Sequence, residues 1–272
     1  MSRRNFDRLA SYIFDYAGIK MPESKKTMLE GRLRRRQRDL VAQTLDAYCD
    51  YVFRDDNIVD ESLHLINAVT TNKTDFFREP VHFDYLRTVV LPEFKGRGTR
   101  ALRAWSVACS TGPEPYTMAM VLDDFAGRYG GPSYGILATD LDTEVLETAL
   151  AGIYRVELVA PVPMPLRQKY VIAARDAKRR EVRIAPALRS AIGFARLNLM
   201  DDRYPIGEPM DVIFCRNVLI YFDKPTQLKV VTQLAGCLAQ GGYLFLGHSE
   251  SIAGLDLPLK QVANTVFQRA AS

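Results

Sequence analysis

The feature that most constrains the fold is a change in hydrophobic pattern near residue 100. Before that point, apolar residues recur at the spacing of amphipathic helices, without strand-like alternation. After it, short apolar runs alternate with helical stretches, which is typical of βαβ units and a mostly parallel sheet. Such sheets bind ligands at the carboxyl ends of their strands. The 272 residues therefore predict an all-α N-terminal domain followed by an α/β domain.

The N-terminal part is predicted to contain four helices. The first carries Phe6, Leu9, Ile13 and Tyr16 on one face, and Gly18 is placed to end it in a left-handed cap. The other three cover Lys25–Leu40, Leu45–Phe53 and about 58–69. In the second helix, Arg32, Arg34, Arg35 and Arg38 are expected on the side opposite the leucines, at about 100° per residue.

The α/β part is predicted to have four main strands, Ala101–Ala108, Tyr134–Ala138, Asp211–Cys215 and Tyr243–Leu246. Gly241-Gly242 is expected to turn the chain into the last of these. Residues 161–198 interrupt the alternation of strands and helices. This stretch contains two short segments of alternating polarity, Glu181–Ile184 and Ile192–Leu197, which resemble small antiparallel strands. The predicted domains are 1–75 (helical), 76–99 (a linker helix) and 100–272 (α/β, with a β insertion at about 161–198).

Composition excludes several classes of protein. The apolar runs are too short to span a bilayer, and the N-terminus has no apolar core of a signal peptide, so a cytoplasmic protein without membrane insertion is expected. The four cysteines form no C-x-x-C pair, and the three histidines lack metal-ligand spacing, which predicts neither disulfide nor metal. A net charge of only +4 does not require a nucleic-acid partner.

Two acidic residues follow the first two strands and indicate a cofactor. Glu114 opens a helix after a loop with a single glycine, Gly112, so the loop disfavours a pyrophosphate but suits a cationic ligand. Asp140 ends the next strand, where a carboxylate can accept ribose hydroxyls. A ligand with a ribose, a positive charge and no phosphate is S-adenosylmethionine. The alternatives are an ordinary strand-to-helix turn and a helix N-cap at Asp140.

A third polar cluster, Phe214–Asp223, leaves the third strand at the same edge of the sheet. Asn217 and Tyr221 are four residues apart and would share one face of a helical turn. The alternative is a loop whose polar groups merely cap the next helix.

With these pieces, the chain resembles the chemotaxis receptor methyltransferases of the CheR type. The matching blocks are Thr70–Glu79, Ser110–Tyr116, Ala138–Leu146, Phe214–Asp223 and Gly247–Glu250. Because five blocks match in order, the resemblance is far more specific than any single motif. It implies a Rossmann-like class I S-adenosylmethionine-dependent methyltransferase domain that esterifies glutamate side chains in the cytoplasmic helices of chemoreceptors.

The resemblance also implies roles for individual residues. The cofactor pocket would be lined by Asn72, Thr74, Arg78, Glu114, Asp140, Asn198, Leu199, Arg216 and Asn217. Arg78 and Tyr221 would flank the reacting methyl group, although Arg78 could instead pair with Glu79 on a surface helix and Tyr221 could be a core residue. The arginines at 32, 34, 35 and 38 would dock the acidic receptor helix, unless they form only a solvated face. Regulatory adaptor proteins are further possible partners.

Three other functions are weighed against this one. A nucleic-acid methyltransferase would carry an N/D-P-P-Y/F loop where this chain has Cys215-Arg216-Asn217-Val218. A hydrolase would need G-x-S-x-G, and Ser251 occupies the final glycine position. A cofactor-sensing adaptor that does not methylate stays open.

One departure from the family concerns the β insertion. In relatives whose receptors carry an aromatic C-terminal tail, this small sheet captures the tail by strand addition next to a glycine-bearing turn. Residues 173–180 contain no glycine, which argues against tail binding here.

Overall fold

A computed structural model describes residues 1–54, 57–99, 101–252 and 254–270. The expected α/β domain limits at residues 100 and 272 therefore lie outside the described residues. Among the described helices, none is both long enough and apolar enough to cross a membrane.

The N-terminal domain is a bundle of helices α1 (Arg3–Ala17), α2 (Lys26–Asp39), α3 (Leu45–Val52) and α4 (Asn57–Val69). Ser2 caps α1 by accepting a hydrogen bond from the Asn5 amide, and Gly18 ends it in a left-handed conformation with φ 70°. The predicted glycine cap is thus confirmed. The buried faces of the four helices, including Leu9, Leu33 and Leu65, form one apolar core.

A second helical stretch leads into the sheet. It comprises α5 (Pro80–Tyr85), a π-helical turn (Leu86–Val90) and α6 (Leu91–Gly96). Phe83, Leu86 and Val90 are buried in the core on one face of the large sheet. The predicted linker helix therefore packs as part of the α/β domain.

The large sheet has seven strands in the order β6-β2-β1-β7-β8-β10-β9. The first five are parallel, and β10 and β9 pair antiparallel at the far end. These strands are β1 (Ala101–Val107), β2 (Ser133–Asp140), β6 (Ile192–Arg196), β7 (Met210–Cys215), β8 (Leu238–Leu246), β9 (Leu259–Ala263) and β10 (Val266–Arg269). The predicted α/β architecture is confirmed.

Helices cover both faces of this sheet. Buried residues of α7 (Pro113–Tyr129) pack in one apolar core and those of α11 (Lys224–Cys237) in the other. The remaining helices are α8 (Thr143–Ala151), α9 (Met164–Tyr170) and α10 (Pro186–Ser190). Strand order reverses at β1, because the chain proceeds to β2 on one side and later returns to β7 on the other. The carboxyl ends of these three strands therefore open a crevice.

A small antiparallel sheet has the order β3-β5-β4, with β3 (Ile153–Arg155), β4 (Val171–Ala173) and β5 (Glu181–Ile184). The prediction that residues 192–197 belong to it is wrong, because β6 pairs parallel with β2 in the large sheet. Only Ile192 is buried in β6, and Gly193, Ala195 and Arg196 are exposed, so the strand lacks the continuous apolar run of the central strands. Strand β3 also precedes the predicted insertion limit of residue 161.

One further expectation from the sequence is corrected. Gly241, with φ 70°, lies inside β8 rather than in a turn before it, and β8 is followed by the β9–β10 hairpin. Strand β4 pairs with β5 alone among the described strands. This strand order does not test tail binding, so the expectation drawn from residues 173–180 stays a prediction.

Candidate active site

The crevice at the carboxyl ends of β1, β2 and β7 holds a cavity of about 250 Å³. All nine predicted cofactor residues and Tyr221 line it. Residues from the N-terminal domain and the connection after α1 close one side, and the sequence interpretation missed them: Ala17, Ile19, Met21, Lys25 and Met28. The cavity is thus a joint feature of both domains.

The β1–α7 loop bends sharply at the cavity wall. Ala108 and Ser110 have φ of 54° and 52°, and the Ser110 hydroxyl donates to the Asn72 carbonyl at 3.0 Å. At Gly112, φ is 97°, and a Cβ would lie 2.8 Å from the Tyr154 hydroxyl. This glycine is therefore required by the packing of the loop.

Asp140 is 8% exposed at the end of β2 and faces the cavity. Its Oδ2 accepts from the Ser110 amide at 2.8 Å and its Oδ1 from the Asp142 amide at 3.0 Å. Burial raises the pKa of Asp140 to about 6, although these amide hydrogen bonds oppose the shift. The alternative interpretation of Asp140 as a helix cap is wrong, because Asp142 caps α8 by accepting from the amides of Glu144 and Val145.

Glu114 forms a second acidic point of the cavity. Its Oε1 accepts from the Ser106 hydroxyl at 2.7 Å, and its Oε2 lies 3.4 Å from Arg216 Nη1. Burial raises the pKa of Glu114, and the positive charge of Arg216 opposes this shift. The carboxylate is held in place by two donors and retains lone pairs for a cationic ligand.

Arg216 lies beneath the cavity with its side chain 1% exposed. Its guanidinium lies 5.3 Å from the ring centre of Phe83 and 5.7 Å from that of Phe214. It donates to the backbone carbonyl of Arg78 and, at 3.1 Å, to Glu79 Oε2. A buried guanidinium between two carboxylates and two aromatic rings can anchor the surrounding loops.

Glu79 was not predicted from the sequence as a site residue. It has φ of 56°, and its side chain also accepts from Asn217 Nδ2 at 3.1 Å and from the His248 amide at 3.3 Å. Burial by itself would raise the pKa of Glu79, but the Asn217 hydrogen bond and the Arg216 charge lower it overall. The alternative that Arg78 pairs with Glu79 is wrong, because Glu79 is the partner of Arg216.

Two histidines lie next to this carboxylate. His82 Nδ1 is 3.5 Å and His248 Nε2 is 3.9 Å from Glu79 Oε2. Burial, with Arg216 nearby, lowers the pKa of His82 to about 4, so its ring is neutral at pH 7. The three side chains could in principle bridge a cation. Because Arg216 already neutralises the same oxygen, we assign no metal to this cluster.

Arg78 and Tyr221 line the cavity from different segments of the chain. Arg78 Nη1 donates to the Lys73 carbonyl at 2.9 Å, which holds the guanidinium at the lining. The Tyr221 carbonyl accepts from the Lys20 amide at 3.1 Å, and the Lys25 ammonium lies 5.8 Å from the centre of the Tyr221 ring. A cation and a phenol are thus available beside the cofactor residues.

Two predicted cofactor residues already use their side chains for structure. Asn198 donates to the Tyr16 carbonyl at 2.7 Å and accepts from the Met200 amide at 3.0 Å. Asn72 Nδ2 donates to Asp142 Oδ2 at 2.7 Å. These residues therefore tie the N-terminal domain and the loop before α5 to the sheet.

Three of the four arginines predicted on one side of α2 are exposed, and the fourth is not free. Arg34, Arg35 and Arg38 are exposed. Arg32 instead donates to the carbonyls of Val69 and Thr70 and to the Thr71 hydroxyl. Arg32 lies near 60° from Leu29 around the helix, which is at the edge of the apolar face, so the expectation of a free docking cation is wrong there. It anchors the segment that leads to Asn72.

Comparisons with known proteins agree over nearly the whole chain. Residues 72–267 match the family model for the CheR methyltransferase SAM binding domain, and residues 4–70 match that for the CheR methyltransferase all-alpha domain. Chemotaxis protein methyltransferase 2 of Pseudomonas aeruginosa is 35% identical, with 99% of this chain and 94% of the relative covered. Chemotaxis protein methyltransferase of Escherichia coli (strain K12) is 36% identical, with 98% and 91% covered.

Solved structures show a weaker likeness. Magnesium protoporphyrin IX methyltransferase from Synechocystis PCC 6803, with bound SAM, is 11% identical, with a TM-score of 0.39 and coverage of 82% of this chain and 94% of that one. A likeness at this level carries no functional argument.

Proposed function

Because the chain belongs to the CheR methyltransferase family, we propose that it transfers a methyl group from S-adenosylmethionine to glutamate carboxylates of chemoreceptors, forming methyl esters. Membership establishes a chemotaxis protein methyltransferase with a domain that binds S-adenosylmethionine. The observation that carries the finer proposal is that one cavity brings together acidic groups, Asp140 and Glu114, with Arg78 and Tyr221. The acidic groups suit a cationic nucleoside, and the other pair suits an anionic acceptor.

The residues of the cavity fit this cofactor. Asp140 has both oxygens oriented by amides and keeps lone pairs for two vicinal hydroxyls. Glu114 supplies negative charge for an ammonium group at the start of α7, and Leu199 supplies an apolar surface. When bound, S-adenosylmethionine supplies an electrophilic methyl group on a positively charged sulfur.

The acceptor needs positioning more than activation. A glutamate side chain is ionised at pH 7, so no general base is required. We assign to Arg78 the binding of a carboxylate, either that of the substrate or that of the cofactor. Tyr221 donates one hydrogen bond that orients the attacking oxygen. In-line placement of the reacting atoms then supplies the rate enhancement.

The partner is proposed to be the cytoplasmic helical region of a chemoreceptor, docked on the N-terminal domain. Arg34, Arg35 and Arg38 offer three positive charges on an exposed helix face. Acidic helices would be attracted to this face over roughly 8 Å at physiological salt.

The test is transfer of a labelled methyl group to a purified receptor cytoplasmic fragment. The proposal predicts label that is released by mild base, as a carboxyl ester is, and that is absent from a fragment whose acceptor glutamates are changed to alanine. Base-stable label would indicate N-methylation, and cofactor binding without transfer would indicate an adaptor. Either result would contradict the proposal.

A further inference from the structure

Glu250 is a buried carboxylate, 5% exposed, that the proposed chemistry does not use. Its Oε1 accepts from the amides of Val218 and Leu219 at 2.9 and 2.7 Å. Its Oε2 accepts from the amides of Asn217 and Gly247 at 3.0 and 2.6 Å. Four backbone donors from two loops therefore meet on a single side chain.

These four donors lie at the carboxyl ends of the adjacent strands β7 and β8. Three of them are consecutive amides that open the short 3-10 helix Leu219–Tyr221. Amide groups at such a helix start have no backbone partner of their own, so they require an acceptor. Glu250 supplies it and fixes the direction in which the chain leaves β7.

The turn that Glu250 holds is unusual in its backbone. Asn217 has φ of 60°, which a non-glycine residue adopts at some cost unless its surroundings impose it. Gly247 packs against it so closely that a Cβ would lie 2.7 Å from Asn217 Nδ2 and 2.8 Å from its amide nitrogen. The strained turn is thus held by the carboxylate and accommodated by the glycine.

The same segment carries six residues of the cavity lining, at positions 216–218 and 220–222. Arg216 precedes Asn217 and spans Glu114 and Glu79, and Tyr221 ends the 3-10 helix. We propose that Glu250 is a positioning residue of the methyltransferase, which sets the backbone turn Asn217–Leu219 and through it the placement of Arg216 and Tyr221 at the cavity. The expected effect on kcat rests on the proposed function. The expected effect on S-adenosylhomocysteine binding rests only on the cofactor pocket.

Charge and shape both matter at this position. Burial raises the pKa of Glu250, and the four amide hydrogen bonds oppose the shift. A glutamine of the same size would keep one acceptor oxygen and place an NH₂ group against two amide donors. The Glu250→Gln variant therefore breaks half of the hydrogen bonds without leaving a cavity.

The experiment uses the full chain and compares three variants with the wild type. Glu250→Gln removes one of the two acceptor oxygens, and Gly247→Ala keeps the charge of the carboxylate but crowds both Asn217 and Glu250 Oε2, from which the new Cβ would lie 2.9 Å. Asp223→Ala is the matched control, because it removes the side-chain cap of α11, two residues after Tyr221, without touching the four amides. Calorimetry measures S-adenosylhomocysteine binding, thermal unfolding measures Tm, and methylation of the receptor fragment gives kcat and the two KM values.

We expect Glu250→Gln and Gly247→Ala to weaken S-adenosylhomocysteine binding at least about tenfold and to lower kcat, with the receptor KM unchanged. Asp223→Ala should lower Tm, because the cap of α11 is lost, and leave binding and kcat unchanged. If Glu250→Gln lowers Tm alone, the role is only structural and the proposal fails. If that variant does not fold, unchanged binding and kcat in Gly247→Ala overturn the proposal. If the wild-type protein binds S-adenosylhomocysteine but does not methylate the receptor fragment, the proposed function is refuted. The calorimetric comparison of the variants still decides whether Glu250 positions the cofactor pocket.

Discussion

Glu79 Oε2 lies 3.1 Å from Arg216 Nη2, and the guanidinium is 1% exposed. Replacing one partner of such a pair leaves the other buried with less compensation. We predict that Glu79→Gln lowers the free energy of unfolding by about 1–3 kcal/mol in urea titrations. Glu208→Gln is the matched control, because its pair with Arg103 is exposed and should contribute only about 0–1 kcal/mol. Equal losses of unfolding free energy in the two variants would contradict the larger contribution predicted for the buried pair.

The raised pKa of Asp140 predicts that the affinity for the cofactor depends on pH. Because its pKa in the free protein is about 6, the carboxyl group is largely protonated below that pH and loses a charged acceptor for ribose hydroxyls. S-adenosylhomocysteine should bind more tightly as pH rises through 6. In Asp140→Asn, binding should be weaker at pH 7.5 and its pH dependence near 6 should be reduced. Calorimetry across this range checks both expectations, and an unchanged profile in the variant would remove Asp140 from the pocket chemistry.

The raised pKa of Asp140 also makes the stability of the ligand-free protein depend on pH. Cofactor affinity rises with pH, whereas this contribution to stability falls. A carboxyl whose pKa is raised on folding binds more protons in the folded state, so its contribution to stability decreases as pH rises from about 4 through 6. Asp140→Asn should reduce this decrease. Urea titrations of wild type and variant at several pH values measure it, and identical pH slopes would contradict the assignment.

Arg78 and Tyr221 should differ in the size of their effect on methyl transfer. Arg78→Ala removes a cation that orients a carboxylate, and each 1.4 kcal/mol lost from the transition state is about tenfold in rate. Tyr221→Phe removes one hydrogen bond from an uncharged donor to the acceptor carboxylate, or roughly 1.5 kcal/mol. Single-turnover rates at saturating cofactor measure the chemical step. Near-native turnover in Arg78→Ala would exclude that residue from the mechanism.

The exposed arginines of α2 should act together and not singly. Changing Arg34, Arg35 and Arg38 to alanine should raise the receptor KM and flatten its dependence on salt, because screened charges steer the encounter. Cofactor affinity should be unchanged. A variant with Arg87, Arg103 and Arg128 replaced has the same net charge and should keep the wild-type salt slope. If both triple variants behave alike, only the net charge matters and the arginines form a solvated face.

The sequence predicted the elements that local patterns encode. Gly18 ends α1 as expected, and Asp140 lies at the cavity because a strand end determines its place. The parallel strand at Ile192–Arg196 was misassigned, because alternation cannot distinguish an edge strand of one sheet from a strand of another.

The rest of the site depends on contacts between distant segments. Glu79 contacts Arg216 across 137 positions, and Arg32 contacts the carbonyl of Thr70 across 38. No periodicity in a single sequence carries such pairings. The cavity residues supplied by the N-terminal domain were missed for the same reason.

The most direct test of the central claim is identification of the methylated atom by mass spectrometry of a receptor cytoplasmic fragment after reaction. The account predicts methyl esters on glutamate side chains, lost after mild base and formed far more slowly when Arg78→Ala replaces the wild-type enzyme. Methyl groups on nitrogen, or a receptor fragment that carries no methyl group after reaction, would contradict it.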